Sequence, residues 1–138
     1  MIISPRNRRR LLRANAVFLL AASAGGVWSD VLGAFFSQGQ LAPVLRSAPH
    51  AAIGFVEAHG LAFIFGVLLW RAEAVWSWHL TAAAVHVLLG TANLVFWQLF
   101  IAADMVPVGY ITTALHWLFV ALHLAAAVAS NAVALRPA

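Results

Sequence analysis

The chain has no cysteine, one tyrosine and only four acidic residues among 138. Without cysteine there is no disulfide, no thiolate metal ligand and no thiol nucleophile. Lysine is absent too, so all eight cationic side chains are arginines. Charged residues reach 9%, whereas an ordinary soluble domain carries about 25%. That scarcity excludes a conventional soluble domain. An alanine- and arginine-rich chain without lysine is compatible with a GC-rich bacterial genome.

What is present is hydrophobic, at 64% of positions. A membrane span needs roughly 20 mostly apolar residues, and four segments qualify, near 14–36, 51–70, 76–101 and 108–133. The fold class expected is all-α: a polytopic membrane protein built as an up-down-up-down four-helix transmembrane bundle, because short connections make successive helices antiparallel. Residues 1–13 read as a basic cytoplasmic arm and residues 14–135 as one domain. A short interfacial helix is expected around Leu41–Leu45 in the longest connection. Arginines followed by Val17–Ala22 and Ala22-Ser23-Ala24 imitate a signal peptide, but apolar sequence continues to Phe36, so the segment reads as a retained span.

Arg6, Arg8, Arg9, Arg10, Arg13, Arg71 and Arg136 fall on one side of these spans and Arg46 on the other. The positive-inside rule then places both termini in the cytoplasm of a bacterial inner membrane. The basic N-terminus suits anionic lipid headgroups. No groove-reading motif accompanies it, so nucleic acid is not an expected partner. The lipid bilayer is, with a hydrophobic small molecule, a homo-oligomer or a larger membrane complex as further possibilities.

Polar residues interrupt the apolar segments at regular spacing. His79, His86 and Asn93 stand seven apart in the third, and His116, His123 and Ser130 repeat the spacing in the fourth. Seven residues fall about 20° short of two full turns, so each stripe keeps to one face. Matching depth across the connection sets Asn93 opposite His116, His86 opposite His123 and His79 opposite Ser130. Asp30, Glu57 and His59 fall at the depth of Asn93 and His116, so four helices converge on one polar layer.

Ionisable groups inside a membrane are costly and turn inward. The ligand-binding set expected is therefore Asp30, Glu57, His59, His86, Asn93, His116 and His123. Glu57 and His59 are the candidate acid–base pair, since a carboxylate beside an imidazole can exchange protons. His59, His86, His116 and His123 are candidate metal or haem ligands, though no helix-borne metal motif is present. The competing reading is that these groups only join helices, at about 0.6 kcal/mol each. Asn93, Ser130 and His79 fit that reading well.

The run Phe55-Val56-Glu57-Ala58-His59-Gly60, followed by Gly66, in a four-span chain with a long first outer connection, resembles small bacterial membrane proteins of the DoxX-like kind. That resemblance implies a four-span fold and links to quinone-coupled redox partners; the histidine stripes depart from it. Glu57, His59, Asn93 and Trp97 are also compatible with four-span sterol isomerases. The function expected is binding of a quinone-like, sterol-like or haem ligand within the membrane. A non-catalytic accessory subunit is the alternative, and a proton conduit a third reading.

Overall fold

The computed structural model describes residues 3–134, with side chains through residue 130. Leu135 and Arg136 therefore lie outside the described residues. The regular elements described are all helices: α1 (Pro5–Phe36), α2 (Ala42–Ser47), α3 (Ala51–Arg71), α4 (Trp76–Val95), α5 (Trp97–Ala102) and α6 (Val106–Ala134). Among them α1, α3, α4 and α6 are long and apolar enough to cross a membrane.

Helix α1 starts earlier than the hydropathy pattern suggests. Ser4 caps it, the Asn7 N–H donating to Ser4 Oγ at 3.2 Å, and Pro5 occupies its first turn. Proline suits that position because the missing N–H would be unpaired anyway. Arginine is a good helix former, so the basic segment continues the helix instead of forming an arm. At 32 residues, α1 is about 48 Å long, well beyond a hydrocarbon core of about 30 Å.

The third apolar segment is not one helix over 76–101. It breaks at Phe96 (φ −102°, ψ 31°), and α5 follows as a separate piece. Aromatic packing holds α5 against the start of α6. Trp97 meets Tyr110 edge-on at 4.8 Å and Phe100 at 5.4 Å. Gly109 makes room, since a Cβ there would meet the Phe100 ring at 2.8 Å. Asp104 then turns the chain with a left-handed φ of 53°. In the first connection, α2 lies where the sequence places it. Leu41 and Leu45 pack with Ala103, Phe55 and Met105 to close that end of the molecule.

α1 runs along α3, and α4 along α6. The first pair approaches closely at Gly66, where a Cβ would lie 3.0 Å from Leu20 and 3.3 Å from the Ala16 carbonyl. Leu12, Ala16, Leu19, Leu69 and Ala82 form a small core joining α1, α3 and α4. The rest of the burial pattern is inverted relative to a soluble protein. Of the seven largest fully buried side chains, five are polar: Asn15, Asp30, His79, His86 and His123. Trp28, Phe35, Leu61, Leu88, Val95 and Val128 are each more than half exposed.

Close helix approach at Gly66 yields a direct test. Gly66→Leu overpacks the α1–α3 contact and is expected to cost about 1–3 kcal/mol, read as a lower thermal midpoint in detergent. Gly54→Leu, at an open position on the same helix, is expected to stay within about 0.5 kcal/mol of the wild type. Equal midpoints for the two variants would contradict the close approach.

Candidate functional site: a sealed imidazole chain and an open Asp–His pair

The heptad stripes of α4 and α6 do face each other, but one step out of the expected register. His86 Nδ1 lies 2.8 Å from His116 Nδ1, and His79 Nδ1 lies 2.9 Å from His123 Nδ1. The expected contact of Asn93 with His116 is not made. Asn93 is half-buried and donates to Thr112 Oγ1 at 3.2 Å. Ser130 turns back to donate to the Ala126 carbonyl at 2.8 Å. The break at Phe96 explains the shift. Depth was matched about a turn near residue 105, whereas α4 ends at Val95 and α5 occupies the intervening chain.

His86 and His123 are neighbours, with ring centroids 6.4 Å apart, but α1 joins them. Asn15 Nδ2 donates to His86 Nε2 and to His123 Nε2, both at 2.7 Å. Sequence reasoning missed Asn15. Its signal was available: Asn15 is the second residue of the first apolar segment, and an amide that turns inward there wants a partner as Asn93 does.

The amide nitrogen of Asn15 is turned to both rings and its Oδ1 is buried without a partner, and that orientation assigns one set of tautomers. Nε2 of His86 and of His123 accepts, so both rings carry their proton on Nδ1. Each Nδ1–H then donates to the neighbouring Nδ1, leaving His116 and His79 protonated on Nε2. Polarity runs outward from Asn15 in both directions. An amide gives up no proton at ordinary pH, so Asn15 separates two imidazole pairs instead of completing a wire. Phe119 stacks on His86 at 5.0 Å and on His123 at 6.1 Å, and Phe18 packs on His86 and edge-on against His116. His79, His86, His123 and Asn15 are completely buried, and His116 nearly so.

The nitrogen separations also bear on metals. Two nitrogens bound to one tetrahedral ion at ~2.0–2.1 Å stand about 3.3 Å apart, longer than every contact in the chain. No group of three or more histidine or acidic side chains holds metal-binding geometry among the described residues. A haem would need its ring plane between imidazoles that here touch directly. The sealed chain therefore has the character of a helix-joining spine.

The outer layer divides differently. His59 pairs with Asp30, Nδ1–H donating to Oδ2 at 2.7 Å. The Asp30 side chain is fully buried, whereas 35% of the His59 side chain is exposed. The imidazole lies flat on Gly26, where any Cβ would collide with the ring. Asp30 Oδ1 has no partner and is sealed. His59 Nε2 makes no hydrogen bond among the described residues. Glu57, expected as the partner of His59, is exposed on the outside of α3. Two residues along a helix are about 200° apart, so Glu57 and His59 cannot both face α1. The same helix pair also carries an open apolar groove lined by Val17, Leu20, Val67, Trp70 and Arg71. It begins roughly 12 Å along α3 from His59.

No family model, curated protein or solved structure matches this chain.

The tautomer pattern is measurable. In ¹⁵N NMR of labelled protein, His86 and His123 are expected to carry the proton on Nδ1, and His79 and His116 on Nε2. Asn15→Leu preserves volume, removes both amide donors and should abolish that pattern. The variant is also expected to lose about 1–3 kcal/mol of stability. An unchanged pattern with an unchanged thermal midpoint would refute the linking role of Asn15.

Proposed function

We propose that the chain is a multi-pass membrane protein of up-down-up-down topology, resident in a bacterial inner membrane, with both ends in the cytoplasm. Its role on this reading is to bind a lipid-soluble ligand bearing a carbonyl or hydroxyl group at the Asp30–His59 pair. The observation that carries the reading is the contrast in access. The four clustered histidines are buried and bonded to one another, whereas His59 is reachable and its outer nitrogen has no partner among the described residues. The inverted burial supports membrane residence, because in lipid polar groups gain by turning inward and apolar ones lose nothing by facing out.

The chemistry follows from the pair. Asp30 accepts from Nδ1–H, fixing the ring and leaving the Nε2 lone pair toward the ligand. Nε2 can then accept a hydroxyl proton. Once protonated, it donates to a carbonyl while the buried carboxylate balances the imidazolium. The groove between α1 and α3 suits an apolar tail, in keeping with a site that is mostly apolar with a few placed polar groups.

A short-chain quinone and a hydroxysterol serve as separate probes. At least one is expected to raise the thermal midpoint of the purified wild type. Asp30→Asn keeps an acceptor for His59 and His59→Gln keeps a polar partner for the buried Asp30; both should fold and respond to neither probe. Equal shifts in wild type and variants, or no shift in the wild type, would reject the site.

A second reading has its own observation. Glu57 is exposed about 9 Å below the outer end of α3, and an acid facing lipid at mid-span costs roughly 2.5–3.5 kcal/mol. A partner subunit that covers it would make this chain an accessory component of a larger complex. Extraction from native membranes in mild detergent should then yield that complex with the wild type and lose it with Glu57→Leu. A complex indifferent to the substitution, or no complex at all, would reject this reading.

A further inference from the structure

The heptad that organises the spine continues one step past it, into a rung that is not satisfied. Asn15 on α1 meets His86 on α4 and His123 on α6. Seven residues from each, toward the N-terminus of α1, lie Arg8, His79 and Ser130. α1 and α4 advance together, so Arg8 and His79 stand at one level and on the same faces as the rung above; Ser130 lies two turns further along α6 from His123, the partner of His79. All three are buried: Arg8 is 7% exposed, His79 0% and Ser130 8%.

Two donors on this rung have no acceptor. Arg8 Nε and His79 Nε2 are sealed and unpartnered, and the tautomers set by Asn15 place a proton on that His79 nitrogen. Only Nε of the Arg8 guanidinium is sealed in this way, so its other nitrogens lead outward from the rung. A buried guanidinium without a counter-charge is among the costliest arrangements in a protein interior. Among the described residues the one carboxylate ion pair is Asp30 with His59, at the other end of α1. α1 and α4 both begin here, adding the positive ends of two helices.

We propose that Arg8 and His79 form a binding site for a phosphate oxyanion at the end of the bundle where α1 and α4 begin. A guanidinium matches phosphate oxygens in geometry as well as charge. The imidazole N–H supplies a directed donor. The same chemistry is offered by a phospholipid headgroup and by free phosphate. The site is separate from the Asp30–His59 pair and does not depend on it.

The full-length protein, delipidated in a neutral detergent, is titrated with inorganic phosphate and, separately, with short-chain phosphatidylglycerol. Binding is read by thermal shift and by the ¹⁵N resonance of His79 Nε2. Protection by both titrants would identify a general phosphate site, and protection by the lipid alone a headgroup site. In either case the His79 resonance should move, and Arg8→Gln should bind at least about tenfold more weakly. Arg6→Gln, at an exposed position on the same turn, should bind as the wild type does. Should Arg8→Gln fail to fold, His79→Phe tests the same rung and is expected to weaken binding while retaining the arginine. No binding of either titrant, equal loss in Arg6→Gln, or a His79 resonance indifferent to both would overturn the proposal.

Discussion

The two hydrogen bonds donated by Asn15 organise the interior of this protein. α1 packs along α3, and α4 along α6, so the structure divides into two helix pairs. Under the proposed membrane residence, apolar contact alone would be a weak reason for such pairs to stay together, since lipid tails are as apolar as leucine. A single amide with both N–H groups spent on His86 and His123 ties one pair to the other. It also fixes the proton on each of four imidazoles, because an acceptor at one end of a ring makes the other end a donor. Remove the amide and two buried acceptors lose their partner at once.

The same constraint sorts the histidines by role. Each ring in the sealed chain bonds to a neighbouring ring through Nδ1 and is covered by Phe18 or Phe119 or by adjacent rings. Such groups hold helices together and exclude anything larger than themselves. His59 differs in one respect that matters chemically. Its carboxylate partner is buried, but the ring reaches the surface, so one nitrogen remains available. Gly26, with no Cβ to collide with the ring, lets the imidazole lie against α1 in that position.

Much of this was legible in the residues. The composition required a membrane-like all-helical chain, and the described residues are helical with four helices of spanning length. The seven-residue spacing correctly put the polar stripes of α4 and α6 on facing surfaces. The register was not legible, because it depends on where α4 stops. Nothing in the apolar run 94–101 announces a break; aromatic packing of Trp97 on Tyr110 and the absence of a side chain at Gly109 decide it. Glu57 and His59 lie two apart in sequence and were grouped by depth. Their angular separation around α3 sends one outward and the other toward Asp30.

The sequence by itself determined which side chains lipid would not tolerate and the period at which they recur. Both follow from solvation and helix geometry, which are local. Only the tertiary structure decided who partners whom: His86 with His116 and Asn15 instead of with His123 alone, Asp30 with His59 instead of Glu57. Partner choice depends on the helix ends, on glycines that permit close approach and on a third helix contributing an amide. Those are properties of assembled surfaces, and no single segment carries them.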